Sequence, residues 1–92
     1  MNYYNEQDRL IALLTDELPV LRARLKISQD ELSRRIGISR QTYSLIETKK
    51  QKMTWVTFMA MIAFFENNKK SKEILQYVGL TSDDAFKALL QK

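Results

Sequence analysis

The sequence predicts an all-helical fold. Its apolar residues recur three and four positions apart over most of the chain, and no stretch of useful length alternates apolar and polar residues as a strand does. Residues that interrupt helices are rare, since glycine occurs only at positions 37 and 79 and proline only at position 19. With 92 residues, of which 45% are apolar, the chain is expected to form a single domain, 1–92.

The first part of the chain is expected to form two helices that are separated near Pro19. Residues 5–15 place several leucines on one apolar face, behind acidic residues that suit the positive end of a helix. Proline cannot donate a hydrogen bond to the carbonyl four residues earlier, but it is tolerated in a first helical turn. We therefore predict that a second helix begins near Asp16 or Glu17 and runs to about Lys26.

Two short helices with a tight turn between them are predicted next. Ser28 and Glu31 have the spacing of a capping box, which starts a helix by satisfying its first free backbone amides. That helix is expected to end at Gly37, because glycine adopts the left-handed conformation after a helix without strain. Ser39 can cap the following helix, 39–48, and a basic, solvent-facing loop comes after it.

The C-terminal half is expected to add three helices. The helix 55–66, capped by Thr54, is apolar around most of its circumference, which places it at the centre of its domain or against a partner. For its aromatic residues, core packing is favoured over a ligand pocket. Ser71 is predicted to cap a helix that Gly79 ends, and a last helix completes the C-terminal pair, 71–91. Three apolar residues of the last helix are assigned either to the core or to a dimer interface: Phe86, Leu89 and Leu90.

The chain contains no cysteine and no histidine. These absences exclude a disulfide framework, thiolate metal sites and cysteine nucleophiles, and they remove the commonest general base and zinc ligand. The sequence has neither a phosphate-cradling glycine loop nor an apolar run of the ~20 residues that a membrane span requires. We therefore expect a cytoplasmic protein that is not an enzyme and that needs no cofactor or metal.

Positive charge is concentrated in one part of the chain. Residues 22–52 contain nine Lys and Arg against three acids, an excess of six, whereas residues 1–21 carry an excess of three negative charges. Because such a concentration on one candidate binding motif favours a polyanionic partner, nucleic acid is the first partner to consider.

A set of residues in the first two thirds of the chain is typical of one known family. The set comprises Arg22, Ser28, Gln29, Leu32, Gly37, Ser39, Tyr43, Ile46 and Glu47. On these residues, the segment 18–65 resembles the phage-repressor and Cro-type helix-turn-helix domains, also called the xenobiotic-response-element family. The resemblance implies a compact five-helix, repressor-like domain with extra N-terminal and C-terminal helices. In that domain the helix-turn-helix core would span 17–66, and 39–48 would be the recognition helix.

The resemblance also implies a division of roles among the polar residues. Arg22 and Glu47 would form a mostly buried ion pair that joins the first helix of the core to the end of the recognition helix. Four side chains would read base edges in the major groove: Arg40, Gln41, Ser44 and Leu45. Six residues would contact the sugar-phosphate backbone: Gln29, Ser39, Thr42, Lys49, Lys50 and Lys52. For the three lysines, simple solvation of the loop competes evenly with this role.

Four positions depart from the usual family pattern. Tyr43 replaces an aliphatic core residue, so its ring needs more room and its hydroxyl is expected to reach the surface. Leu45 is apolar where the family often has a long polar side chain. Lys49 stands where a glycine commonly follows Glu47 by two, so the next loop can differ. Ser33 replaces alanine where the two helices cross most closely, and its hydroxyl needs a partner.

The function expected on these grounds is that of a sequence-specific DNA-binding transcriptional regulator. We expect a repressor that acts as a homodimer on double-stranded DNA. Two alternatives stay open. The chain could be the antitoxin of a toxin–antitoxin pair, which binds both DNA and a toxin. It could also be a helical protein-interaction module, in which the helix 55–66 or the C-terminal helices dock a partner.

Overall fold

The computed structural model describes residues 5–90, which form six α-helices and no strand. The all-α class predicted from the sequence is therefore confirmed. No helix among the described residues is long and apolar enough to cross a membrane. The helices are α1 (Glu6–Leu25), α2 (Gln29–Ile36), α3 (Arg40–Glu47), α4 (Trp55–Glu66), α5 (Lys69–Val78) and α6 (Ser82–Leu90).

Helix α4 lies at the centre of the fold and packs against α1, α2, α5 and α6. Its apolar residues surround most of its axis, so it can bury side chains against several neighbours at once. Trp55 stacks on Phe58 with ring centroids 4.7 Å apart, and Phe65 meets Phe64 edge to face. The position of α4 agrees with the expectation that these aromatic residues belong to the core.

Helix α1 continues through Pro19, so the predicted break between two N-terminal helices is wrong. Pro19 is exposed, and its missing N–H removes one backbone hydrogen bond of the helix, the one to the carbonyl of Thr15. Four leucines continue the buried stripe on both sides of the proline: Leu10, Leu14, Leu18 and Leu21. Burying each leucine contributes about 1.5–3 kcal/mol, and together they outweigh the ~3 kcal/mol cost of an internal proline.

The predicted caps of α2 and α3 are present, although the Glu31 carboxylate pairs with Arg35 instead of completing the capping box at Ser28. Ser28 Oγ accepts from the Glu31 amide at 3.0 Å, and Gly37 ends α2 in the left-handed region with φ 90°. The Ser33 hydroxyl, which is buried between the helices, donates to the Asp30 carbonyl at 2.8 Å. Ser39 Oγ accepts from the Thr42 amide at 3.0 Å and so starts α3. The turn is therefore fixed by local hydrogen bonds at both ends.

Helix α5 begins two residues earlier than predicted, and Ser71 is not its cap. Asn68 is the cap residue, and its side chain accepts from the Lys70 amide at 3.0 Å. Ser71 lies inside the first turn, fully buried, and its hydroxyl donates to the Phe65 carbonyl at 2.7 Å. A serine near a helix start can thus tie the new helix to the preceding one instead of capping it.

Helix α6 turns its alanines, not its large apolar residues, towards the core. It packs against α1 and α4, and Ala85 and Ala88 are buried there because small side chains allow a close approach. Phe86, Leu89 and Leu90 are all exposed, so the first of their two predicted alternatives, the core, is wrong. Residue 91, the last of the predicted C-terminal pair, lies outside the described residues.

The loop after α3 begins with Lys49 in the left-handed conformation, with φ 65°. The Lys50 amide donates to the Leu45 carbonyl at 2.9 Å, and the Lys49 amide donates to the Ile46 carbonyl at 3.0 Å. This pattern is the helix ending that glycine usually provides. The loop therefore has a helix ending of the kind typical of glycine although a lysine occupies the position.

We predict that Lys49→Gly is more stable than Lys49→Ala by about 0.5–1 kcal/mol, measured by urea unfolding. Both variants lose the lysine side chain, so their difference isolates the left-handed backbone, which strains alanine but not glycine. The same pair of changes at Lys72, which is exposed on α5, is the matched control. There glycine should be the less stable variant by about 1 kcal/mol. Equal stability of the two variants at position 49 would contradict the left-handed assignment.

Candidate nucleic-acid interface

The carboxylate of Glu47, at the end of α3, binds the guanidinium of Arg22 from α1. Arg22 Nε donates to Oε1 at 3.0 Å, and Nη2 donates to Oε2 at 2.9 Å, so the contact is bidentate. Arg22 also donates from Nη1 to the Ile27 carbonyl at 3.3 Å. The Glu47 side chain is only 10% exposed. A paired, mostly buried charge of this kind holds α3 against α1.

Two further side chains donate to the same carboxylate. The Tyr43 hydroxyl donates to Oε1 at 2.6 Å, and Gln29 Nε2 donates to Oε2 at 3.2 Å. Tyr43 is fully buried, so the expectation that its hydroxyl reaches the surface is wrong. The hydroxyl turns inward because Glu47, one helical turn away, offers a charged acceptor within reach. We call Arg22, Gln29, Tyr43 and Glu47 the carboxylate cluster.

The cluster shifts the pKa of its members in opposite directions. Burial by itself raises the pKa of Glu47, but the hydrogen bonds from Arg22, Tyr43 and Gln29 outweigh burial and hold it below its ordinary value of 4.5. Burial, followed by the hydrogen bond to Glu47, raises the pKa of Tyr43. Glu47 is therefore a carboxylate and Tyr43 a neutral hydroxyl donor throughout the neutral pH range.

The outward face of α3 carries the four residues predicted to read bases. Arg40 and Gln41 are exposed in the first turn, while Ser44 and Leu45 are half-buried on the same helix. Within residues 5–90, no hydrogen bond or ion pair engages the side chain of Arg40 or Gln41. The structure thus brings together an exposed set of potential hydrogen-bonding groups at the positive end of a helix.

Ser39 and Thr42, two of the predicted phosphate contacts, are linked to each other at the start of α3. The Ser39 hydroxyl lies 2.9 Å from Thr42 Oγ1, in addition to accepting from the Thr42 amide. A third predicted contact, Gln29, is the first residue of α2, and its amide nitrogen is held by Glu47. These three side chains lie at the N-terminal ends of α2 and α3, where free backbone amides favour anions.

The three lysines of the basic loop differ in their surroundings. Lys49 Nζ lies 2.6 Å from Asp16 Oδ1, and Lys52 Nζ contacts the carboxylate of Asp8. Both carboxylates belong to α1. Lys50 has no carboxylate partner within residues 5–90. Prediction from sequence missed Asp8 and Asp16, because their only signal was the negative charge of the N-terminal segment, which was assigned to helix capping alone.

The arginines of α2 lie outside this arrangement. Arg34 pairs with Asp30 at 3.4 Å and Arg35 pairs with Glu31 at 3.5 Å, each one helical turn apart on an exposed surface. Such pairs contribute little to stability and are typical of a solvated helix face. Among the described residues, no group of three or more Asp, Glu, His or Cys could hold a metal ion.

Comparison with known proteins found one match. Residues 21–54 match the model of a family described as helix-turn-helix. The matched segment contains α2, the turn at Gly37, α3 and all four residues of the carboxylate cluster. No curated protein and no solved structure matches the chain.

We predict that Glu47→Ala lowers the free energy of unfolding by about 3–5 kcal/mol, because Arg22 is left buried without its partner. Glu31→Ala removes an acid from an exposed pair and is the matched control, with an expected loss of at most about 1 kcal/mol. Both are measured by thermal and urea unfolding. A melting temperature of Glu47→Ala within about 2 °C of the wild type would contradict the prediction, since 1 kcal/mol corresponds to about 4–8 °C in a domain of this size.

The stabilising contribution of the Glu47 charge is expected to depend on pH. The folded-state pKa lies below 4.5, so this contribution is fully present above about pH 4.5 and is lost as pH falls through the folded-state pKa. Glu47→Gln cannot titrate there. The difference in the free energy of unfolding between wild type and Glu47→Gln should therefore shrink below pH 4.5. A difference that stays constant down to about pH 2 would contradict a stabilising Glu47 charge.

Proposed function

Because residues 21–54 form a helix-turn-helix DNA-binding domain of the phage-repressor and Cro type, we propose that the protein is a transcriptional repressor that binds DNA sequence-specifically. It acts as a homodimer on a two-fold symmetric operator and places α3 in the major groove. The observation that carries the proposal is the exposed first turn of α3, whose Arg40 and Gln41 side chains have no partner within residues 5–90.

The residue types on α3 suit base edges in the major groove. Arg40 can bind guanine O6 and N7 in bidentate fashion, and Gln41 can pair with adenine N6 and N7. Leu45 suits the methyl group of thymine, and Ser44 can either donate or accept. The carboxylate cluster and the buried side chain of Ile46 hold the opposite face of α3 against the core, which leaves these four side chains free to read.

The phosphate contacts are proposed on both sides of α3. Gln29 and the caps of α2 and α3 provide donors close to the positive helix ends. Lys50 is the loop lysine with no intramolecular partner in the described chain, so it is the most readily available cation. Lys49 and Lys52 must exchange a carboxylate for a phosphate in order to bind.

The dimer is proposed on the geometry of operators and on the surface of α6. One small domain covers a single half-site, and half-sites of a symmetric operator lie about 34 Å apart. Helix α6 packs against α1 and α4 and shows no substantial packing against α3. Its exposed apolar residues, Phe86, Leu89 and Leu90, can contact a second copy while α3 stays free. The same residues are the observation that favours the alternative of an antitoxin, in which they would bind a toxin instead.

We predict that Arg40→Ala costs about 1–3 kcal/mol of binding on the specific site and much less on random DNA. The site is first obtained by selection from random duplexes, and affinities are then measured by fluorescence anisotropy at several salt concentrations. Arg34→Ala, an exposed arginine of α2 paired with Asp30, is the matched control and should change neither affinity strongly.

Equal losses for Arg40→Ala on specific and random DNA would make Arg40 a phosphate contact and not a base reader. Failure of selection to enrich any sequence, together with an affinity that does not fall with salt, would overturn DNA binding itself, because phosphate contacts release counter-ions.

We predict that Leu90→Glu converts the dimer to a monomer in sedimentation equilibrium and weakens operator binding, while the monomer stays folded and loses only the stability that dimerisation adds. Leu90 is 78% exposed, so a charge there disturbs no core packing, but it would be buried in the proposed interface. Val56→Glu is the matched control, because Val56 on α4 is also 78% exposed. A dimer that survives Leu90→Glu but not Val56→Glu would move the interface to the N-terminal end of α4.

A further inference from the structure

Tyr43 carries a hydroxyl in a place where packing alone does not require one. Its side chain is fully buried, and a phenylalanine would fill the same space in the core. A buried hydroxyl costs free energy unless it is hydrogen-bonded, and here its partner is the charged carboxylate of Glu47 at 2.6 Å. We therefore look for the role of the Tyr43 hydroxyl in its hydrogen bond to Glu47.

The carboxylate of Glu47 has all its acceptor positions occupied. A carboxylate offers about four lone-pair sites. Oε1 accepts from Tyr43 and from Arg22 Nε, while Oε2 accepts from Arg22 Nη2 and from Gln29 Nε2. The donors come from α1, α2 and α3. With four donors arranged around it, the carboxylate has a fixed orientation.

Fixing the carboxylate also fixes the amide of Gln29. The primary amide is planar and has two N–H groups, one of which is directed to Glu47 Oε2. The direction of the second N–H follows from the first. Gln29 is half-buried at the first position of α2, where the backbone amides favour an anion. Arg22 balances the charge of Glu47, so the nearby carboxylate does not repel a phosphate.

We propose that Tyr43 and Glu47 are positioning residues that hold the Gln29 side-chain amide in the orientation in which it donates to a DNA phosphate. The hydroxyl of Tyr43 completes the donor set that orients Glu47, and Glu47 orients Gln29. This inference rests on the proposed DNA-binding function and adds to it a link between a core side chain of the recognition helix and a phosphate contact of α2.

A double-mutant cycle tests the link. Tyr43→Phe should weaken binding of the selected DNA by about 3- to 10-fold, as for the loss of one hydrogen bond. In the Gln29→Ala background the same change should have no effect, because the amide that it positions is absent. Tyr77→Phe removes a hydroxyl from α5 at a site that is 92% exposed, and it should have no effect in either background.

Equal weakening by Tyr43→Phe in both backgrounds would overturn the proposal, because the hydroxyl would then act through the position of α3 and not through Gln29. Melting temperatures of all variants are measured alongside, and the comparison is made at a temperature where each is folded.

A second measurement needs neither DNA nor a variant. In the free wild-type protein, one of the two Gln29 side-chain amide protons should exchange with water more slowly than the other, as observed by NMR. If both protons exchange at the same fast rate, the amide is not held and the proposal fails. A protected amide proton in a protein that binds no DNA would overturn the proposed function alone and leave the positioning contact standing.

Discussion

The carboxylate of Glu47 joins three helices through an ion pair and two further hydrogen bonds, beside the apolar core in which the same helices pack. It receives donors from α1, α2 and α3, and its charge is mostly removed from water. A buried charge is tolerated only when its partners are complete, so this one group constrains the positions of all three helices together. Apolar packing around α1 and α4 supplies much of the stability of the fold, and the carboxylate cluster adds to it while fixing how α1, α2 and α3 meet.

This arrangement separates the side of α3 that determines its position from the side that faces outward. Tyr43, Ile46 and Glu47 lie on the inner side and are engaged by the core or by the cluster. Arg40 and Gln41 lie on the outer side and take no part in either. A change of the outer residues therefore leaves the fold intact. The same scaffold can carry different exposed side chains on α3 without repacking its core.

Local signals explain which features could be predicted from the sequence. Helix starts at Ser28, Ser39 and Thr54 and the turn at Gly37 depend on neighbouring residues, and the structure has them where the pattern placed them. Features that depend on partners distant in the sequence were harder to predict. The continuity of α1 through Pro19 is decided by leucines packed against other helices, and the direction of the Tyr43 hydroxyl by a buried carboxylate. The buried face of α6 could not be chosen from the sequence, because alanine and leucine both fit an apolar pattern. The contact of Lys52 with Asp8 joins residues 44 positions apart.

The ion pairs between α1 and the loop after α3 reduce the free energy that the loop lysines can gain by binding a polyanion. The carboxylate of Asp16 pairs with the ammonium group of Lys49, and the carboxylate of Asp8 pairs with that of Lys52, so each acts as an intramolecular counter-ion. When a phosphate replaces one of these carboxylates, the lysine exchanges one anion for another, and the displaced anion remains attached to the protein near the phosphate. The free energy gained per lysine is then smaller than for an unpaired cation such as Lys50, by at most about 1 kcal/mol because both pairs are largely exposed. In the proposed complex with DNA, helix α1 thus moderates the attraction of the basic loop for nucleic acid of any sequence, which leaves a larger share of discrimination to the proposed base-reading side chains of α3.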